Sequence, residues 1–414
     1  MLENFLSDPA AIKSWRTGLF GPHVDSFVAT LSKLGYARST VRERLRLLDD
    51  LEQWLKRKRL VLVDLQEQAV ERFLEKRRRA GRLRNGDART VHHFLEHLRD
   101  MGIIQSAELP IDHSPLTMLQ KQYETYLRKE RGLSPVTIGR YWPFLRHFLV
   151  ERFGEGPICL RELAPDDISG FLLRHARSGS PGEAKLMVTA LRSLFRFLFQ
   201  HGEIEHDLAG AVPTVPAWRH AELPRHIDGD KVERVVQACN RSTSVGRRDY
   251  AILLLLARLG LRASEVIALE LDDIDWRTGV LTARGKGHYH DRLPLPHDVG
   301  EAIAAYLRQD RPRCTTRRVF IRNKAPHRSF GHPSSISTIV CRALRRAGLQ
   351  PDLKGAHLLR HSLATGMLRR GASMAEIGQV LRHRASNTTE IYAKVDMQGL
   401  RSLALPWPMK GGAS

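Results

Sequence analysis

The segments HLLRHSLATGML (residues 357–368) and LRHRASNTTEIY (residues 381–392) decide how the whole chain is interpreted. In the first segment, His357 and Arg360 are three residues apart, so a helix places both side chains on one face. In the second segment, a histidine precedes Tyr392 by nine residues. Taken singly, Tyr392 could be an ordinary packing residue and the pair His357 and Arg360 a surface pair, so their interpretation depends on the residues that accompany them.

Upstream residues extend the set. Arg262 lies in GLRASE, where a helix is predicted to begin, and Lys286 lies at the tip of the turn RGKGH. Residues 280–283 and 292–295 read as short strands on either side of that turn, which predicts a hairpin. With His383, the chain offers two arginines, a lysine, two histidines and a tyrosine as candidates for one site.

This combination of side chains suits chemistry on a phosphodiester. Two guanidinium groups can hold the non-bridging oxygens bidentately without a metal ion. A tyrosine nucleophile leaves a covalent phosphotyrosyl link, which keeps the bond energy for rejoining without ATP. A lysine on a hairpin can protonate the departing 5′ oxygen, and a histidine can take and return the tyrosine proton.

The segment 224–400 resembles the catalytic domain of the tyrosine recombinases, also called the phage integrase family. The order Arg, Lys, His-x-x-Arg, His, Tyr matches the family's series without a gap. The resemblance implies that Arg262 and Arg360 bind the scissile phosphate and that Lys286 is the general acid. It also implies that His357 is the acid/base partner of the tyrosine.

By the same resemblance, His383 donates a hydrogen bond to the phosphate, Tyr392 is the nucleophile, and Glu265 orients the neighbouring groups. The fold implied is mainly α with a small β-hairpin or sheet in the catalytic domain, preceded by two helical bundles. The family acts without a metal or nucleotide cofactor. Its partners are double-stranded DNA with inverted-repeat sites and further copies of the same chain. Four copies form a tetramer on two DNA sites, and the reaction proceeds through a four-way junction.

Other residues near these motifs are assigned no chemical role. His361 is interpreted as structural, on the expectation that it points about 100° away from His357 around the helix axis. Leu269, Leu271 and Trp276 are predicted to be core residues from their apolar pattern.

Two proline-bearing stretches, residues 105–115 and 205–224, are predicted connectors because proline interrupts helices. The predicted domains are a helical module, a core-binding helical domain, the catalytic domain and a C-terminal tail, at residues 1–105, 116–205, 224–400 and 401–414.

The first two domains look like copies of one helical design. Leu45, Leu48 and Leu51 recur as Trp142, Leu145 and Phe148, 97 residues later. Offsets of 98 and 100 residues relate two further apolar groups, which favours duplication. Two small amphipathic bundles can also align this loosely without common descent, so both readings stay open.

Charge points to a polyanionic partner. The chain has 414 residues and a formal net charge of +21. Residues 224–414 alone hold 32 Lys and Arg against 17 Asp and Glu, so the charge belongs to a folded region and not to a tail. Nucleic acid is the first candidate for such a surface.

Several classes are excluded or disfavoured. The longest apolar run near the centre, residues 251–257, is far too short to span a membrane, and no secretory signal is visible at the N-terminus. Four widely spaced cysteines offer neither a zinc pair nor a disulfide framework: Cys159, Cys239, Cys314 and Cys341. A bacterial cytoplasmic protein associated with the nucleoid is therefore expected.

Two rival functions remain. A type IB topoisomerase uses similar residues to relax DNA without exchanging partners, whereas two helical modules ahead of the catalytic domain favour recombination at specific sites. A DNA-binding regulator of the same fold would not need Tyr392. The residues do not decide among integration, transposition and dimer resolution, nor whether a second recombinase or a DNA-bending protein assists. Composition and the extra module favour a mobile element.

Overall fold

Amphipathic helices form the first half of the chain, as the three- and four-residue spacing of its apolar side chains predicts. The computed structural model describes residues 2–105, 112–154, 156–175, 179–214, 225–285, 289–352, 354–385 and 388–395. The first helical module, residues 2–105, contains α1 (Pro9–Thr17), α2 (Gly21–Lys33), α3 (Arg38–Lys58), α4 (Glu67–Arg79) and α5 (Asp87–Asp100). The apolar faces of these helices enclose one core, in which Phe27, Leu48 and Phe94 are fully buried.

The second helical module, residues 112–214, has its own core. Its helices are α6 (Pro115–Lys129), α7 (Pro135–Phe153), α8 (Pro165–His175) and α9 (Pro181–Gln200). Ser134 caps α7, because its hydroxyl accepts a hydrogen bond from the Thr137 amide. Helix α3 begins at Arg38 without a side-chain cap, since its N-cap residue is Ala37.

From α2 onward, the first module presents its elements in the same order as the second module. A 3-10 helix at Leu62–Asp64 separates α3 from α4, and one at Leu160–Glu162 separates α7 from α8. The starts of these two 3-10 helices are 98 residues apart, the offset seen in the sequence. The common order agrees with duplication, which stays a prediction, as do the domain boundaries.

The C-terminal module, residues 225–395, is helical around a small sheet. Its elements are α10 (Gly229–Gln237), α11 (Ser244–Leu259), α12 (Ala263–Ala268), β1 (Ile274–Asp275), β2 (Val280–Arg284), β3 (His290–Pro294), α13 (His297–Gln309), α14 (Ser334–Arg346), α15 (Ala356–Arg369) and α16 (Met374–Val380). The strands are antiparallel in the order β1-β2-β3, and Arg284 pairs with His290 beside the hairpin turn. The predicted fold class, mainly α with a small sheet, is confirmed.

Some details of this module differ from the predictions. Helix α13 was not predicted, although Val299, Ile303 and Tyr306 carry helical spacing on its buried face. Residues 319–322 form no strand and contain one isolated bridge, between Ile321 and Ser329. Trp276 is half exposed and not a core residue, because it belongs to the turn between β1 and β2.

The described residues divide into two units. One contains residues 1–107 together with 222–414, and the other contains residues 108–221. All four cysteines are free thiols. No helix in the described ranges is long and apolar enough to cross a membrane.

Candidate active site

A tight turn between α11 and α12 positions Arg262. Gly260 ends α11 with φ at +57°, and a Cβ there would lie 2.8 Å from a Leu381 methyl carbon. Arg262 then occupies the N-cap of α12 with extended backbone, and its side chain is 36% exposed. The turn therefore brings one guanidinium group to the surface beside the end of α16.

Glu265 holds Arg262 in place through two hydrogen bonds. Its Oε1 accepts a hydrogen bond from Arg262 Nη1 at 2.7 Å, and its Oε2 accepts from the Arg262 amide at 2.8 Å. Burial raises the pKa of this carboxyl, but Arg382 and Arg262 outweigh it and hold the pKa below its ordinary value. Glu265 is therefore an anion in contact with Arg262, and its orienting role stays a prediction.

Arg360 lies at the centre of the cluster. It projects from α15, is 4% exposed, and donates hydrogen bonds to the carbonyl oxygens of Gly260 and Leu381. Burial, with Arg262 and Arg382 nearby, lowers the pKa of Arg360 to about 10. A guanidinium has five N–H groups, so these two bonds leave three for a further acceptor.

Tyr392 is buried, and its hydroxyl contacts His361. The phenol lies in the 3-10 helix Glu390–Val395, is 1% exposed, and its Oη is 2.8 Å from His361 Nδ1. Burial raises the pKa of Tyr392 to about 12, and burial with His357 and Arg360 lowers the pKa of His361 to about 4. Both groups are therefore neutral near pH 7.

The angle expected for His361 was wrong. Four residues at 100° each turn a helix through about 400°, so His357 and His361 differ by only about 40° and share a face. Their ring centroids are 6.3 Å apart. This i, i+4 spacing is the signal by which the sequence could have included His361 in the site.

The two predicted histidines lie on the same cluster. His357 is exposed on α15, and its pKa is lowered by partial desolvation and by Arg360 and Arg262. His383 follows α16, where its Nδ1 is 2.7 Å from Thr389 Oγ1. Burial, together with the surrounding arginines, lowers the pKa of His383 to about 4.

Lys286 lies outside the described residues. The strands that flank it do form the predicted hairpin, and β3 is tied to the segment after His383. Arg384 Nη2 lies 3.1 Å from Asp291 Oδ1, and the Arg384 guanidinium stacks over Tyr289 at 4.2 Å. These contacts bring the base of the hairpin to the cluster.

Sequence reasoning missed Arg382. Its side chain is 3% exposed, and its Nη2 forms an ion pair with Glu265 Oε2 at 2.9 Å. Its backbone has φ at +55°, which non-glycine residues seldom adopt. Nothing in the sequence pattern marks this arginine, because its neighbours at positions 259–265 are brought to it only by the fold.

One further cluster in the described ranges holds metal-ligating side chains. His147 Nε2 and His175 Nε2 lie 3.7 and 2.7 Å from Glu151 Oε2. Two ligand atoms on a tetrahedral zinc ion are about 3.3 Å apart, so the shorter contact has the length of a hydrogen bond instead. Arg174 also pairs with Glu151 at 2.6 Å. We interpret the cluster as an ion-pair network that joins α7 to α8.

One partly exposed arginine, two buried arginines, a carboxylate and a tyrosine beside histidines therefore lie in one cluster of the C-terminal module. The family model described as phage integrase family matches residues 225–399. The model described as the N-terminal SAM-like domain of phage integrases matches residues 121–202. A protein of Sinorhizobium fredii named as an integrase/recombinase, y4rA, is 43% identical over 98% of this chain and 99% of its own length.

More distant proteins agree. Tyrosine recombinase XerA of Pyrococcus furiosus is 31% identical over 68% of this chain and 91% of its own. The solved XerH site-specific recombinase shares the fold with a TM-score of 0.56 at 21% identity, covering 70% of this chain and 85% of that chain. A lambda integrase structure has a TM-score of 0.51 at 18% identity, covering 67% and 94%.

The chain belongs to the phage integrase family and is a tyrosine recombinase. It is an enzyme of the class that cleaves and rejoins DNA strands at specific sites. Neither rival is favoured: the related proteins are recombinases and integrases, and a regulator would not need the complete cluster.

Proposed function

We propose that this recombinase cuts a specific site in duplex DNA through Tyr392 and rejoins it to another strand. The observation that supports this proposal most directly is the buried Tyr392 phenol. It lies 2.8 Å from His361, whose pKa is about 4, in a cluster that includes buried arginines. The phenol oxygen attacks phosphorus and forms a 3′-phosphotyrosyl bond as the bond to the 5′ oxygen breaks. A 5′ hydroxyl of the partner strand reverses the step, so each phosphodiester lost is regained.

Arg262 and Arg360 are proposed to hold the two non-bridging oxygens. Three of the five N–H groups of Arg360 have no carbonyl partner among its described hydrogen bonds, and Arg262 is partly exposed toward solvent. Attack on phosphorus adds negative charge to those oxygens, which fixed guanidinium groups stabilise more strongly than they stabilise the ground state. Lys286 is proposed to protonate the 5′ oxygen, and His383 to hydrogen-bond the phosphate.

His357 and His361, both on α15, are proposed to interact with the Tyr392 hydroxyl at different stages of the reaction. His361 holds the phenol in the free protein, as its 2.8 Å contact supports. His357 is exposed beside Arg360 and Arg262, where the phosphate would bind, so it is proposed as the acid/base partner once Tyr392 reaches the DNA. His357→Gln should then slow cleavage more than His361→Gln does.

The proposed partners are duplex DNA and three further copies of the chain. The XerH structure holds a palindromic difH substrate, and a lambda integrase dimer is bound to a COC′ core site. By analogy, this chain would act as a tetramer on two inverted-repeat sites through a four-way junction. The arginines supply the charge that a metal would otherwise supply, so the proposal predicts undiminished cleavage in EDTA.

Covalent trapping tests the function. Nicked duplexes that cover the ends of the DNA segment carrying the gene are incubated with wild-type protein and with Tyr392→Phe, and SDS-stable adducts are separated on a gel. We expect an adduct with wild type only, while both proteins shift the same duplex in a native gel. Tyr306→Phe is the matched control, because Tyr306 is equally buried but only accepts a hydrogen bond from the Ile321 amide.

The other outcomes contradict the proposal. An adduct with Tyr392→Phe would mean that another residue is the nucleophile. DNA that is bound by wild type but never linked to it, even on paired inverted sites, would favour a regulator. Relaxation of supercoiled plasmid without exchange between sites would favour the topoisomerase reading.

A further inference from the structure

Arg382 is a buried cation with almost no free hydrogen-bonding capacity. Its Nη1 donates to the carbonyl oxygens of Leu259 and Val380 at 3.2 and 2.9 Å. Its Nη2 donates to the Gly260 carbonyl at 3.3 Å and to Glu265 at 2.9 Å. The Nε–H is buried with no partner. Because the four Nη hydrogens are all committed, Arg382 is not placed to bind a substrate directly.

These contacts converge on the carboxylate that orients Arg262. Arg382 holds Glu265 Oε2, and this leaves Oε1 directed at Arg262 Nη1, 2.7 Å away. The carbonyl oxygen of Arg382 also accepts a weak bond from Arg262 Nη2 at 3.4 Å. One residue therefore restrains both the partner of Arg262 and Arg262 itself.

Arg382 also alters the charge of the cluster. Arg262, Arg360 and Arg382 lie around the Glu265 carboxylate, so these four side chains carry two net positive charges. A phosphodiester carries one negative charge, and its pentavalent transition state carries close to two. Without Arg382, these side chains would offer one net positive charge instead of two to the transition state.

We propose that Arg382 is a positioning residue for the strand-cleavage reaction, which fixes Arg262 through Glu265 and matches the cluster to the transition-state charge. The inference rests on the proposed function of Arg262 as a phosphate ligand. Loss of Arg382 should therefore slow strand cleavage more than it weakens DNA binding.

The test uses the duplex on which wild type forms its Tyr392-dependent adduct, and it measures adduct rate and DNA affinity separately. Arg382→Gly removes the guanidinium and relieves the positive φ, whereas Arg382→Lys keeps the charge without the fork. We expect Arg382→Lys to slow adduct formation about tenfold and Arg382→Gly about a hundredfold, with affinity within about twofold for both. Arg59→Gly is the matched control, since Arg59 has φ at +54° but is exposed in the first helical module.

A double variant checks the route through Glu265. Because part of the effect of Arg382 passes through Glu265, the rate losses of Arg382→Gly and Glu265→Gln should be less than additive in the double variant. Wild-type rates for Arg382→Gly would overturn the inference. The inference would also be overturned if the rate loss of Arg382→Lys equalled its loss of folded protein, measured by thermal unfolding. If Arg382→Gly does not fold, Arg382→Lys alone provides this test. Absence of any Tyr392-dependent adduct would instead overturn the proposed function.

Discussion

The histidines around Tyr392 are neutral because the fold makes their protonation costly. The pKa values of His361 and His383 are both lowered to about 4 from an ordinary 6.5, chiefly by burial and then by neighbouring cations. Each histidine binds a proton in the unfolded chain below pH 6.5 but resists protonation in the folded chain until about pH 4. Stability gained at neutral pH is therefore lost as the pH falls through this window.

We predict that the free energy of unfolding falls between pH 7 and pH 5, by about 1–2 kcal/mol for each of these histidines. Urea unfolding of the full chain at the two pH values measures the fall. His361→Gln and His383→Gln should each flatten it, because glutamine cannot take up the proton. His297→Gln is the control substitution, since His297 is 87% exposed. A wild-type stability that is level or higher at pH 5 would contradict the prediction.

At the scale of elements, the turn between α11 and α12 depends on Gly260. A side chain there would need φ at +57° and would press on Leu381, whose carbonyl holds Arg360. We predict that Gly260→Ala lowers the free energy of unfolding by about 2–4 kcal/mol, from backbone strain and overpacking together. It should also slow adduct formation beyond the loss of folded protein, because both carbonyl partners of Arg360 move.

Gly279 provides the comparison for this prediction. It has φ at +65° in the turn before β2, and a Cβ added there would meet no atom within 4 Å. Gly279→Ala should cost only the backbone strain, about 1–2 kcal/mol, and leave the adduct rate unchanged. Equal losses of stability in the two variants, measured by urea unfolding, would show that contact with Leu381 has no effect.

The sequence predicted elements well where one face of a helix is apolar, and poorly where tertiary contacts decide. Helix α14 is of the first kind, because its buried positions have strict helical spacing that is visible in the sequence. The segment of Tyr392 is of the second kind, because it forms a 3-10 helix that apolar spacing does not distinguish from an α-helix. Arg382 could not have been recognised, since its ion pair joins residues 117 positions apart.

At the scale of the whole molecule, a contact between Leu34 and His327 links the first helical module to the C-terminal module. The His327 amide donates to the Leu34 carbonyl at 2.9 Å, and a Cβ on Gly35 would lie 1.9 Å from the His327 ring. We predict that Gly35→Ala displaces this ring and raises amide hydrogen exchange across residues 325–330. The readout is exchange followed by mass spectrometry of the full chain.

Gly102→Ala is the control for that contact. Gly102 also has positive φ, at +70°, and follows a helix of the same module, but a Cβ there would meet nothing within 4 Å. It should leave exchange at residues 325–330 unchanged. If the two variants raised exchange there equally, the effect would arise from general loosening of the module and not from the contact.

The net charge of +21 makes a prediction for the complete protein on DNA. Binding that neutralises phosphates releases counterions, so log affinity should fall linearly with log salt, with a slope of about −5 or steeper. Gel-shift or anisotropy titrations between about 50 and 200 mM NaCl measure this slope. A nearly salt-independent affinity would contradict the role assigned to the basic surface.

The burial of Tyr392 has a consequence for fidelity. A strongly basic protein spends most of its time on irrelevant DNA, where a permanently exposed nucleophile would leave breaks across the chromosome. If Tyr392 is the nucleophile, as proposed, a phenol that is only 1% exposed cannot reach phosphorus while the protein is merely bound to DNA. Release of the tyrosine then requires binding energy from contacts that only the correct DNA site makes. The enzyme therefore discriminates against incorrect DNA sites at the chemical step as well as at binding.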